Sequence, residues 1–290
     1  MIKLTRRDAI TGALIAVASS ILGRKIMSED KSNIKKMPTL FIGHGSPMNA
    51  IENNDFTQSL QRLGKSLPKP KAILMISAHW ETNGSWLTGM EKPKTIHDFH
   101  GFPKELFDVQ YPALGAPQIA LNVAKTVKEP IIGIDNKWGL DHGTWSVLKH
   151  IFPNADVPVF QLSLDRNQPM SFHYELGKQL SFLREQGVMI MGSGNIVHNL
   201  REVTWGEDAR PHDWAIEFDE WSKKRLLERD FISLVKDPLS MRAGQLSIPT
   251  LEHYLPLLYV LGTSSVEDTL VFDYEGIQLS SMSMRCLRFT

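Results

Sequence analysis

The chain has 290 residues, 42% hydrophobic and 22% charged, an ordinary globular composition with length enough for a sizeable core. Its 32 basic and 32 acidic residues cancel and form no block, which leaves no electrostatic basis for nucleic-acid binding. The single cysteine, Cys286, excludes an intramolecular disulfide and a thiolate metal site, so a metal would have to be held by His, Asp or Glu.

At the N-terminus, Lys3, Arg6 and Arg7 precede an uncharged run from Ala9 to Leu22, with small residues at Ala16, Ala18, Ser19 and Ser20. This is the layout of a signal peptide. The run is shorter than the roughly 20 residues of a membrane span, so no integral span is expected. Arg6-Arg7 resembles a twin-arginine signal, which implies a periplasmic protein exported folded, although Ala9 stands where such signals carry a large apolar residue. The alternative is an N-terminal tail, residues 1–27, on a cytoplasmic protein. No linker-like stretch divides residues 28–290, which are expected to form a single catalytic domain.

Short apolar runs bounded by turn residues predict buried strands at 38–43, 72–77, 130–134, 157–163 and 188–192. Helices are predicted between them at 56–67, 116–127, 144–152 and 172–186. A charged amphipathic helix follows over 214–229, and another over 252–261 with Thr250 as N-cap. Segments 268–273 and 279–289 are expected to add strands, with antiparallel pairing open to them. Strands alternating with helices predict an α/β fold: a three-layer αβα arrangement around a mixed, mostly parallel central sheet.

The ten histidines are the informative feature. His44 follows the first predicted strand, His79 the second and His198 the fifth. His142 lies just before the helix at 144–152, and His253 near the start of the helix at 252–261. Open α/β sheets bind ligands beyond the carboxyl ends of their strands, where these side chains can converge. Imidazole is the commonest ligand for zinc and iron, and three histidines leave coordination positions open, as a catalytic metal requires. A further histidine nearby can move a proton near neutral pH. His97, His100, His150, His173 and His212 are read as packing or surface residues.

Six motifs occur in order: GHGSP at 43–47, SAHW at 77–80, IHDFHGFP at 96–103, DHG at 141–143, GNIVHN at 194–199 and EHYLPL at 252–257. Together they resemble the 4,5-DOPA extradiol dioxygenases, within the class III (LigB-type) ring-cleaving enzymes, from about Pro38 to the C-terminus. The resemblance implies a LigB-like fold and metal-dependent opening of catechols such as DOPA, a small-molecule substrate, with O2 as co-substrate. It implies metal positions at His44, His79 and His253, with His198 in the same site as a further ligand or as the acid/base. His142 would orient or protonate the oxygen side of the reaction. Ser46, Asn195 and His97 are expected to line the substrate pocket, with Phe99 and Phe102 packing on the ring. Class III relatives use two histidines and a glutamate for Fe2+; here Glu252 stands beside His253. Zinc as well as iron is associated with bacterial members, so the expected cofactor is one Zn2+ or non-heme Fe2+ per chain. Two other readings remain open: a zinc hydrolase using the same histidines, and a non-catalytic metal-binding protein of the same fold. The sequence does not specify oligomeric state.

Overall fold

The computed structural model describes residues 36–206 and 209–290. The expected signal or tail over 1–27 lies outside the described residues.

In chain order, β1 (Thr39–Gly43) leads into a 3-10 turn at Pro47–Ala50 and then α1 (Asp55–Ser66). The Asn54 side chain accepts from the Thr57 amide and the Thr57 hydroxyl accepts from the Asn54 amide. That reciprocal cap contributes about 1 kcal/mol to the helix start. Next come β2 (Ala72–Thr82), β3 (Ser85–Thr88), α2 (Lys104–Phe107), α3 (Pro117–Thr126), β4 (Ile132–Asp135) and α4 (His142–Ile151). They are followed by β5 (Val159–Asp165), α5 (Met170–Leu180), α6 (Phe182–Glu185) and β6 (Val188–Gly194). The C-terminal part holds α7 (Asp213–Leu227), α8 (Phe231–Lys236), α9 (Arg242–Ser247), α10 (Leu255–Thr263), β7 (Leu270–Tyr274), β8 (Ile277–Gln278), β9 (Met282–Ser283) and β10 (Cys286–Phe289).

Eight strands form one sheet in the order β4-β3-β5-β2-β6-β1-β10-β7. Its centre, β5-β2-β6-β1, is parallel; β3 turns antiparallel against β5 and β10 against β1. The sheet is thus mixed with a parallel centre, and helices cover both faces. β1, β5 and β6 are buried along their whole length, as strands covered on both sides must be. Alternate side chains serve the two layers. Phe41, Leu74, Ile76 and Ile190 pack with Val123 of α3, Leu176 of α5 and Leu258 of α10. Leu40, Ile42, Ile73, Met75 and Met191 pack on the other face with Phe56 and Leu60 of α1 and Leu148 of α4.

Several elements depart from the sequence expectation. β2 runs on to Thr82, past the predicted end at 77. The predicted helix at 172–186 is two helices that meet at Ser181. The last long helix starts at Leu255 rather than 252, with Pro256 in its first turn, where a missing N–H costs nothing. Thr250 does not cap it; its hydroxyl donates to Glu252. β4 lies outside the parallel centre, because β3, its parallel neighbour, is reversed. Among the described residues no helix is long and apolar enough to cross a membrane.

Candidate active site

Because β1, β2 and β6 are parallel, their carboxyl ends lie along one edge of the sheet. His44 directly follows β1, and its amide donates to the Gly194 carbonyl at the end of β6 (3.1 Å). His79 lies within β2, where the pairing with β5 jumps from Ile76–Leu162 to Glu81–Leu164. Residues 77–80 therefore stand opposite Ser163 alone, a bulge that swings His79 out of the ladder. His142 is the first residue of α4, whose cap is the Asp141 carboxylate on the Thr144 amide. His253 sits in the turn before α10, its carbonyl accepting from the Asn195 amide (2.8 Å). This turn presses so closely on β6 that a Cβ at Gly194 would lie 2.1 Å from the His253 oxygen. Glycine is required there by space alone. Beyond β6, the His198 amide is held by the Ser247 carbonyl (2.9 Å).

The five rings converge. The His44 and His79 ring centroids are 5.0 Å apart, and His253 lies 5.3 Å from the first and 5.0 Å from the second. His142 is 3.8 Å from His79, and His198 stacks flat on His253 at 3.5 Å.

The outer nitrogens of three rings are spoken for. The Ser193 hydroxyl donates to the Gly143 carbonyl (2.6 Å), so it accepts from His44 Nδ1 (2.9 Å). His253 Nδ1 donates to the Glu252 carboxylate (3.0 Å). His79 Nδ1 faces Asp98 Oδ2 at 3.4 Å. For His44 and His253 the hydrogen-bond network assigns the proton to Nδ1; for His79 the Asp98 carboxylate charge beside Nδ1 favours the proton there, and each ring then keeps an Nε2 lone pair. The Nε2 atoms of His44 and His79 then face each other at 3.1 Å with no proton between them. Two lone pairs at that distance repel unless a cation is shared. Nitrogens bound to one zinc at about 2.1 Å, at right-angle to tetrahedral spacing, stand about 3.0–3.4 Å apart. The donor set fits a divalent metal on these grounds. Imidazoles whose far nitrogen is tied to a carboxylate or hydroxyl are also the usual form of metal-ligating histidine. His44, His79 and His142 offer ring nitrogens all within 4.8 Å of one another, and His198, Glu252 and His253 form a second such group.

Burial favours the neutral form of His44, His79, His198 and His253. Burial pushes His44 and His79 well below the ordinary histidine range, and the neighbouring histidines push further. Burial also lowers His253, against an opposing pull from Glu252. His198 is driven down to about 2, by burial first and by His253 second. Burial would raise the Glu252 carboxyl, but the hydrogen bond and charge of His253 outweigh it and hold it near 2. Asp98 follows the same pattern: burial raises it, and His142 brings it below its usual value. Asp98 Oδ1 accepts the His142 amide at the start of α4 (2.8 Å). Its Oδ2 lies 2.9 Å from His142 Nδ1, an approach too oblique for a hydrogen bond by geometry.

The rings line a cavity of ≈ 360 Å³, closed otherwise by Ser46, Phe99, Phe102, Leu200, Val203, Trp205, Leu279 and Met282. Ser46, expected at the pocket, is there. Asn195 and His97 are not among the lining. The Asn195 side-chain NH2 is spent on the Ser283 carbonyl (2.7 Å), where it clips β6 to β9. His97 packs against Trp145 with Nε2 on the Val109 carbonyl (3.0 Å). Its neighbours Asp98 and Phe99 reach the cavity instead. Sequence reasoning missed Asp98 and Ser193 as partners of the histidines; the only signal was Asp98's place inside the IHDFHGFP motif. Trp205, in an irregular segment after β6, gave no sequence signal.

An α/β fold with a histidine cluster of metal-binding type at the carboxyl edge of its parallel strands defines a metalloenzyme class of site. A family model described as the catalytic LigB subunit of aromatic ring-opening dioxygenase matches residues 38–278, and the chain belongs to that family. It is 46% identical to the 4,5-DOPA dioxygenase extradiol of Escherichia coli K12, over 86% of this chain and 93% of that one. It is 34% identical to the protein of the same name from Beta vulgaris, over 91% and 98% of the two chains. A crystal structure of an uncharacterized Escherichia coli K12 protein superposes with a TM-score of 0.76 at 43% identity, covering 88% of this chain and all of that one.

Proposed function

We propose that this chain opens the ring of catechols such as DOPA outside the diol, with O2 as co-substrate and one divalent metal held by His44, His79 and His253. The observation that carries the reading is the convergence of these rings within about 5 Å of one another, with His44 held from behind by Ser193, His253 by Glu252, and His79 Nδ1 facing Asp98. Iron bound there supplies Lewis acidity toward the catechol hydroxyls and the redox capacity that O2 chemistry needs, whereas zinc supplies only the first.

The chain's own residues do the rest. Phe99 and Phe102 give the substrate ring aromatic walls, and with Val203, Leu279 and Met282 they exclude bulk water. His198, stacked on His253 and lining the cavity, is placed to accept a proton from a catechol hydroxyl at its ring nitrogen. His142, with Nδ1 beside the Asp98 carboxylate, is placed to return a proton on the opposite side of the site. Ser46 borders the cavity mouth, where its hydroxyl already accepts from the Met48 amide (3.2 Å).

The test is isotopic. Turnover of DOPA under 18O2 should give a yellow, ring-opened product carrying two labelled oxygens. A product with no label from O2, or hydrolysis of an ester in its place, would remove the reading.

A further inference from the structure

Two cavities meet at the mouth of the site. The inner one holds the histidines; an outer cleft of ≈ 500 Å³ shares Ser46, Trp205 and Leu279 with it. Among the described residues lining either cavity there is no Lys and no Arg. The charged side chains are both carboxylates: Asp98, committed to the histidines, and Glu52 in the outer cleft. Glu52 accepts from the Asn54 side-chain NH2 (3.2 Å) and has no cationic partner among the described residues. Trp205, 73% exposed, offers an open aromatic face at the junction.

A catechol that turns both hydroxyls to the histidines must send its ring substituent the other way, past Ser46, Trp205 and Leu279. We propose that the outer cleft is the subsite for that substituent, and that it selects catechols bearing a protonated alkylamine over those bearing a carboxylate. This rests on the ring-cleavage reading of the inner cavity. An ammonium passing the junction gains the Trp205 face and the Glu52 carboxylate. A carboxylate in the same place meets a like charge and no fixed cation, which is how an interface rejects a wrong partner.

The test uses a matched series: 4-(2-aminoethyl)catechol, 4-(2-carboxyethyl)catechol and DOPA, which carries both charges. kcat/KM is measured on iron-reloaded protein, and the dissociation constant on zinc-reloaded protein through tryptophan fluorescence. The amine should exceed the acid by about tenfold in both, with DOPA between. Glu52→Gln should bring the ratio close to one, and Glu52→Lys, an exposed change compatible with folding, should reverse it. An acid that does as well as the amine, or a ratio that Glu52→Lys leaves within about twofold, overturns the proposal. If the binding ratio holds while no catechol is turned over, the cleft stands and the ring-cleavage reading falls.

Discussion

Asp98 is the single carboxylate shared by two site histidines and a helix end, and Asp98→Asn isolates what it contributes. The amide is the same size, and its oxygen can still accept the His142 amide at the start of α4. What changes is the other position, where an NH2 now faces His79 Nδ1 and His142 Nδ1 and the carboxylate charge is gone. A hydrogen bond to a charged group is worth about 1.5–3 kcal/mol. The His79 approach is long, 3.4 Å, and the Asp98 side chain is 17% exposed, so the low end applies. That corresponds to about tenfold weaker metal binding, the lower bound typical for the loss of such an outer partner. The effect on folding should be smaller, below about 1 kcal/mol, since a carboxylate at a helix start contributes about 0.3–1 kcal/mol and Asn retains the acceptor. Competition of the protein against a chelator for Zn2+ reads the first quantity; urea unfolding of the metal-free protein reads the second. Metal affinity within twofold of the parent, with stability lost instead, would refute a role in aiming His79.

Three further outcomes follow from the same geometry. Gly194→Ala should cost about 1–3 kcal/mol in urea unfolding and weaken metal binding, because the added carbon would sit 2.1 Å from the His253 oxygen and push that turn away; parent-like metal affinity would contradict it. His198→Ala should retain the metal and lose turnover, since His198 lies on His253 without supplying one of the three pinned nitrogens; full turnover would remove it from the proton path. His173 is fully buried on α5 against the Tyr259 hydroxyl, and burial lowers it from 6.5 to about 4. Its folded pKa is depressed, so between pH 6.5 and 4 the unfolded chain binds the extra proton and stability falls as pH falls, by about 3 kcal/mol in total. His173→Gln should flatten the slope of unfolding free energy against pH in that window; an unchanged slope would refute this.

The strands of the parallel centre were legible because their apolar runs are continuous: burial on both faces leaves no alternation to confuse with a surface strand. The histidines were legible because strand ends deliver side chains to a common edge whatever their separation in sequence. What was not legible depends on pairing and packing. Nothing in the sequence marks the bulge that carries His79, since it exists only as a mismatch between β2 and β5. α8 and α9 are six residues each, too short for a periodic signal. His97 was singled out by its type, yet it is its neighbour Asp98 that faces His79 and His142; the side-chain directions in an irregular segment follow from what it packs on. Asn195 drew notice beside His198, but its polar head is consumed in holding β9.

In the proposed reaction, His44, His79 and His253 hold a redox metal that serves ring cleavage. The most direct measurement is to strip the protein of metal, reload separate samples anaerobically with Fe2+ or Zn2+, and add DOPA and O2 while following oxygen uptake and the yellow product. Uptake and colour with iron alone are expected. No uptake with either metal across a range of catechols, or hydrolytic activity with zinc in its place, would contradict the account.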